Sequence, residues 1–262
     1  MPKLDDATLS AIFGLPPKAA IAYMQKKGFA ITWNWQEMID EAHARAATVA
    51  KVMRMDILQD IRDAWENAAI EGTTFEAFRD SLTPILQAKG WWGRPLVKNP
   101  DGVSEPALLG SPHRLETIYR TNLQSAYMAG RYHAMNESTD THPYWMYVAV
   151  MDSRTRPAHR AMNGKVFRAD DPIWDTFYPP NGFQCRCRVR PISEYRLKKN
   201  GLTVASSSGN LVTRHEAIGQ NSGNPVEARR TGMVVDGIFC APDAGFNYNP
   251  GKDWYTPFKE KS

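Results

Sequence analysis

The chain has 262 residues, 42% of them hydrophobic, with 32 Lys/Arg against 28 Asp/Glu and a formal net charge of +4. This length and composition suit a packed globular protein and exclude wholesale disorder, and no apolar run reaches the roughly 18–20 residues that a membrane-spanning helix needs. The opening MPKLDDATLSAIFGLPPKAA is acidic early and lacks an apolar stretch, so it does not read as a secretory signal, and three cysteines, an odd number, point to a reducing compartment rather than a disulfide framework.

The first ninety residues read as helical. Pro16 and Pro17 precede Ala19-Ala20-Ile21-Ala22-Tyr23-Met24, a first-turn proline followed by good helix formers. From Trp35 to Ile70 apolar residues recur at helical intervals, among them Met38, Ala42, Ala46, Val49, Val52, Ile57, Ile61 and Trp65. Thr73 and Glu76 fit a capping box opening a helix that buries Phe75, Phe78, Leu82 and Leu86 and stops at Gly90. The stretch from Gly90 to Gly110, dense in Gly and Pro, is the best boundary or linker. Ser111-Pro112 then caps a helix running to about Met135, and His142-Pro143 breaks it.

Tyr144 to Met151 (YWMYVAVM) is rich in β-formers and predicts a strand. Short strands and tight turns follow: Val166-Phe167 after Gly164, the turn Pro179-Pro180-Asn181-Gly182, and Arg186 to Arg190, which alternates with a basic face. Leu197 to Asn224 reads as an exposed loop or arm, and Val234 to Pro257 as short turns with aromatic anchors. The expected fold is therefore α+β. An N-terminal helical region covers residues 1–110, a compact domain with one long helix packed on a short-stranded sheet covers 111–198, and an extended arm and C-terminal segment cover 199–262.

Charge is concentrated. From Asp152 to Lys199 there are eleven Lys/Arg against five Asp/Glu, while the rest of the chain is balanced or slightly acidic. A local excess of this kind is the signature of contact with a polyanion or an acidic surface.

A longer pattern carries a family resemblance. Arg120-Thr121-Asn122, Ala126-Tyr127, Gly130-Arg131, Tyr147, Asp152-Ser153-Arg154-Thr155, His159, Gly164, Asp171-Pro172, Pro179-Pro180-Asn181-Gly182 and Cys185-Arg186-Cys187 together resemble the phage Mu F-like minor head proteins, which act in head morphogenesis. Similar stretches lie upstream, around Phe13 to Ala20 and Glu41 to Lys51, and downstream, from Gly245 to Gly251. The resemblance implies a minor, non-enzymatic capsid protein of a tailed bacteriophage. It would sit inside the head near the portal protein and the packaged genomic DNA after assembly in the host cytoplasm. Its expected partners are the portal, the major capsid or scaffolding protein, and DNA bound without sequence preference, with no membrane. Arg120, Asn122, Arg131, Asp171 and Asn181 would be structural residues of the family motif.

Three chemistries compete for the residues themselves. His159, Cys185 and Cys187 are borderline-soft ligands that could hold a structural zinc, with Asp152 as a fourth. A regular strand would put the two cysteines about 6.6 Å apart along the chain, at about 3.3 Å per residue, so a bend is required. Otherwise the pair is simply the inner face of a strand, and Cys240 a core residue or a late ligand. Second, Cys185 or Cys187 with His159 could make a thiol-dependent hydrolase. Third, His159 among Arg154, Arg156 and Arg160 could serve a nuclease. Arg154, Arg156, Arg160, Arg186, Arg188, Arg190, Lys198 and Lys199 would contact DNA or an acidic partner. Arg120 and Asn122 are expected to bond backbone groups of the following domain, Asp171 to cap a turn or pair with an arginine, and Phe13, Leu15, Trp33 and Trp35 to serve as docking anchors.

Overall fold

The computed structural model describes residues 17–220 and 225–253. Phe13 and Leu15 lie outside them. The fold is α+β, as expected. Helix α1 (Pro17–Lys26) starts at its proline and leads into strand β1 (Gly28–Phe29), which pairs in parallel with β2 (Ala46–Ala47). Between them lie a short 3-10 turn at Trp35–Glu37 and the five-residue helix α2 (Glu41–Arg45). Helices α3 (Met55–Glu71) and α4 (Phe75–Ala88) follow, then a hairpin of β3 (Leu96–Lys98) and β4 (Ser104–Pro106), then the 26-residue helix α5 (Pro112–Glu137).

The helical period from Trp35 to Ile70 is broken. Apart from the five-residue α2, helix begins only at Met55, because the backbone turns at Asp40 (φ 54°) and Lys51 (φ 63°), conformations no helix can contain. Ala46, Ala47, Val49 and Val52 are buried by extended chain instead, and apolar spacing alone does not separate the two cases. The cap of α4 is Thr74, whose hydroxyl accepts the Ala77 N–H at 3.3 Å, one residue later than predicted. The Thr73 carbonyl is taken by the Tyr119 hydroxyl at 2.6 Å. Ser111 caps α5 as expected, accepting the Arg114 N–H at 3.2 Å ahead of Pro112. The segment from Gly90 to Gly110 carries the hairpin and also buries Trp91, Ala107 and Leu109.

Helix α5 belongs to two cores. Its first half packs Leu115, Ile118, Tyr119 and Leu123 with α1, α3 and α4, around Tyr23, Leu58, Ile61, Trp65 and Phe78. Gly130 permits the crossing with α1, since a Cβ there would lie 3.0 Å from the Ala19 Cβ. Its second half contributes Met128 and Met135 to a core on a four-stranded sheet of order β7-β5-β6-β8. These strands are β5 (Tyr144–Val148), β6 (Val166–Arg168), β7 (Arg188–Ile192) and β8 (Val204–Ala205). β5 is antiparallel to β6 and β7, and β8 is parallel to β6. Trp145 and Tyr147 alternate inward from β5 and meet Phe167, Trp174, Phe177 and Tyr178. Each such side chain contributes about 1.5–3 kcal/mol by burial, more than a typical hydrogen bond, so aromatic packing dominates this half.

β7 is an edge strand, and α5 covers it. Gln124 Nε2 donates to the Cys187 carbonyl at 2.7 Å and Arg131 Nε to the Val189 carbonyl at 2.6 Å. Two short helices, α6 (Pro157–Met162) and α7 (Ile173–Thr176), fill the connections on either side of β6, and α8 (Glu194–Lys199) follows β7. The region expected to be a loose arm is a β-structure. Strands β9 (Val212–Ile218) and β10 (Val226–Val235) pair antiparallel, and β10 turns through Asp236-Gly237 into β11 (Ile238–Cys240). After β11, Phe246 and Tyr248 pack with Ala44 and Phe183, and the short helix α9 (Pro250–Asp253) closes the described chain.

Candidate functional site

Two features share one stretch of backbone. The first is a buried cluster of His159, Cys185 and Cys187, whose ligand atoms all lie within 4.8 Å of one another. His159 comes from α6, with Nδ1 3.4 Å from Cys187 Sγ and 3.9 Å from Cys185 Sγ. The cysteines do not sit in a regular strand. β7 starts at Arg188, and the positive φ of Gln184 (57°) bends the chain just before them, supplying the turn that a Cys-x-Cys pair needs. Tyr147 packs edge-on against the His159 imidazole, 6.5 Å between ring centres. Tyr147 in turn accepts from Asn181 Nδ2 at 3.0 Å.

The hydrogen bond from Cys187, aided by His159, holds the Cys185 thiol well below its usual range. The same bond, together with burial, pushes Cys187 well above it. His159 Nε2 is buried with no hydrogen-bond partner. Cys240 lies apart as a core residue, donating to the Ile238 carbonyl at 3.5 Å.

Asp152 is outside the cluster. It makes a two-pronged pair with Arg186, both bonds 2.7 Å, and accepts the Arg154 N–H at 3.0 Å in a tight turn. The Arg186 guanidinium holds the carboxyl well below the usual carboxylate range. A carboxylate so engaged is a positioning group for arginine, which removes it from the candidate ligand set.

The second feature is a cleft of about 530 Å³ lined by His113, Thr117, Arg120, Arg154, Arg156, Phe183, Gln184 and Arg186. Three of the expected contact arginines meet there. Arg120, expected to bond backbone groups, joins them; its carboxylate partner is Glu116, one turn back at 2.8 Å. Arg156 bonds Asp243 at 3.0 Å and the Phe183 carbonyl at 3.0 Å. Arg160 braces the turn by donating to the Asp152 carbonyl at 2.7 Å. Arg188 and Arg190 lie on β7, and Lys198 and Lys199 on α8, none of them lining the cleft. Lys198 pairs with Glu194 at 3.2 Å, and Lys199 sits over the Tyr195 ring.

The remaining motif residues have structural partners. Asn122 Nδ2 bonds its own helix at the Ile118 carbonyl, 2.9 Å away, so it does not reach the following sheet. Gln124 and Arg131 do that work. Asp171 caps the turn before α7, accepting the Ile173 N–H at 3.0 Å, and also binds Ser207. Trp33 is buried beneath Lys51 and so is not a free docking anchor, while Trp35 packs edge-on to Phe183 and stays 36% exposed. Sequence reading missed His113, Thr117, Gln184 and Asp243. The spacing of 113, 117 and 120 on one helix was a usable signal; Asp243 carries none locally.

The nuclease reading needs His159 at a surface among arginines, and the hydrolase reading needs an approachable thiol. The imidazole is 3% exposed and faces the sulfurs, and neither it nor the cysteines line the cleft.

The family described as "Phage Mu protein F like protein" matches residues 59–190. The chain is 47% identical over 239 residues to "Putative capsid assembly protein F" of Escherichia phage Mu, covering 90% of this chain and 54% of that protein. It is 45% identical over 223 residues to "Mu-like prophage FluMu F protein" of Haemophilus influenzae, covering 84% of this chain and 53% of that protein. The chain thus spans about half the length of these relatives. No solved structure matches it. On these matches, the chain belongs to the phage Mu protein F like family.

Proposed function

We propose that this protein is a head-assembly component of a tailed bacteriophage, working beside the portal and inside the capsid by contact with large partners rather than by turnover. The capsid-assembly name of its phage Mu relative supports the role. The observation that carries the contact chemistry is the arginine cleft. Guanidinium forks match phosphate oxygens, and four of them converge from α5, the Asp152–Arg156 turn and the segment before β7. Glu116, Asp152 and Asp243 hold them in place and offset much of their charge. The cleft is therefore a positioned set of donors, suited to the backbone of packaged DNA and blind to sequence.

The test is DNA binding by the purified chain across a salt series, with an Arg154→Ala/Arg156→Ala variant beside it. Affinity should fall as salt rises, with a slope of about −0.9 per phosphate contacted, and the variant's slope should be shallower by one to two such steps. No binding at low salt, or a variant with an unchanged slope, would reject DNA as the cleft's partner. Capture of portal protein under those conditions would assign the cleft to an acidic protein surface.

A further inference from the structure

We propose that His159, Cys185 and Cys187 form a binding site for a zinc ion, which fastens the 181–187 segment to α6. The ligand types are those zinc prefers, two thiolates and an imidazole. The spacing fits as well. With Zn–S near 2.3 Å and Zn–N near 2.0 Å, a tetrahedral ion sets nitrogen and sulfur about 3.5 Å apart. Here those separations are 3.4 and 3.9 Å, reached by residues 28 and 26 positions apart in sequence.

A second, independent feature is the enclosure of the cluster. His159, Cys185 and Cys187 are all buried, and Tyr147 and Phe177 pack edge-on against the imidazole at 6.5 and 5.9 Å between ring centres. Neighbours that fix a ligand's orientation in this way are what a metal site needs around it. These three side chains would leave the fourth tetrahedral position to a water.

The site has a structural consequence. Residues alternate along the bend, so that Gln184 and Arg186 line the cleft while Cys185 and Cys187 face the imidazole. A metal there would fix the backbone from which two cleft residues project. The metal assignment does not depend on what the cleft binds.

The experiment uses the full chain purified without chelator. Elemental analysis after desalting, with and without added zinc, should give about one zinc per chain. Cobalt substitution should give a thiolate charge-transfer band and the visible absorption of a tetrahedral ion. Cys187→Ser should weaken metal affinity at least tenfold, while Cys240→Ser should retain it. If Cys187→Ser does not fold, the zinc content and cobalt spectrum of the unmodified chain decide alone. A folded chain that takes up no stoichiometric zinc, a cobalt spectrum without thiolate bands, or equal loss in Cys240→Ser would overturn the proposal.

Discussion

Replacing Asp171 by Ala should detach the edge of the sheet. β8 is two residues long and meets β6 through only the pairs Val166–Val204 and Phe167–Ala205, too few to hold a strand alone. Just beyond it, Ser207 is fully buried and bound to Asp171 twice, by its N–H to Oδ2 at 3.0 Å and by its hydroxyl to Oδ1. The same carboxylate accepts the Ile173 N–H at 3.0 Å. Asp171→Ala therefore strands two backbone donors at about 1–3 kcal/mol each, for a loss near 3 kcal/mol. At about 2–4 °C per kcal/mol for a protein of this size, the melting temperature should fall by roughly 10 °C. Hydrogen exchange should quicken at residues 204–207 while β5 stays protected. Ser207→Ala removes only the hydroxyl and should cost less, and the double variant should show a coupling above about 0.5 kcal/mol. A melting shift under about 2 °C, or strict additivity of the two substitutions, would show that this carboxylate does not weld the edge.

Lys27 is nearly buried, 5.1 Å from the Tyr23 ring, and burial, with Arg62 adding repulsion, lowers its pKa from 10.5 to about 7. The unfolded chain then holds a proton that the folded chain lacks between those values, so stability should rise with pH from about 7 to 10.5 and carry the full penalty below 7. The ceiling on that penalty is about 5 kcal/mol, at about 1.36 kcal/mol per unit; Lys27→Met should gain a few kcal/mol at pH 7 and flatten the slope, and denaturation curves parallel to wild type at every pH would contradict this. Gly182→Ala places a Cβ 2.1 Å from Asp243 Oδ2 and 3.3 Å from the Arg156 guanidinium carbon. It should cost about 1–3 kcal/mol by overpacking and weaken DNA binding through Arg156, and a variant with unaltered melting and affinity would show the contact yields freely.

Local signals carried much of the architecture. The proline starts of α1 and α5, the Ser111 cap, the inward alternation of Trp145 and Tyr147, and the convergence of His159 with the two cysteines could all be read from the chain. The failures have physical causes. The periodicity from Trp35 to Ile70 was real, but left-handed backbone at Asp40 and Lys51 redirected it, and no side-chain pattern announces such a turn at a lysine. The arm was misread because β9 is almost wholly exposed, so it lacks the apolar alternation that marks a strand. Its neighbour was legible: Asp236-Gly237, both at positive φ, joins β10 to β11 in a two-residue loop, a strong hairpin signal. The cleft's arginines were named individually. Their assembly was not, because it needs α5, the Asp152 turn and Asp243 to meet, and tertiary packing alone sets that.

The long helix explains why these parts are joined. His113, Thr117 and Arg120 form one wall of the cleft from the first two turns or so of α5, whose neighbouring residues Leu115, Ile118 and Tyr119 are sunk in the N-terminal core. Gln124 and Arg131, farther along the same helix, hold the carbonyls of Cys187 and Val189. Thr117 also accepts from Gln184 at 3.2 Å, so the opposite wall is bonded to this one. A rigid helix spanning two cores is a poor hinge and a good beam. A polyanion seated between the guanidinium groups would therefore press on a surface braced by both halves of the protein, and rigidity of this kind suits an assembly component that must hold a partner in a fixed place.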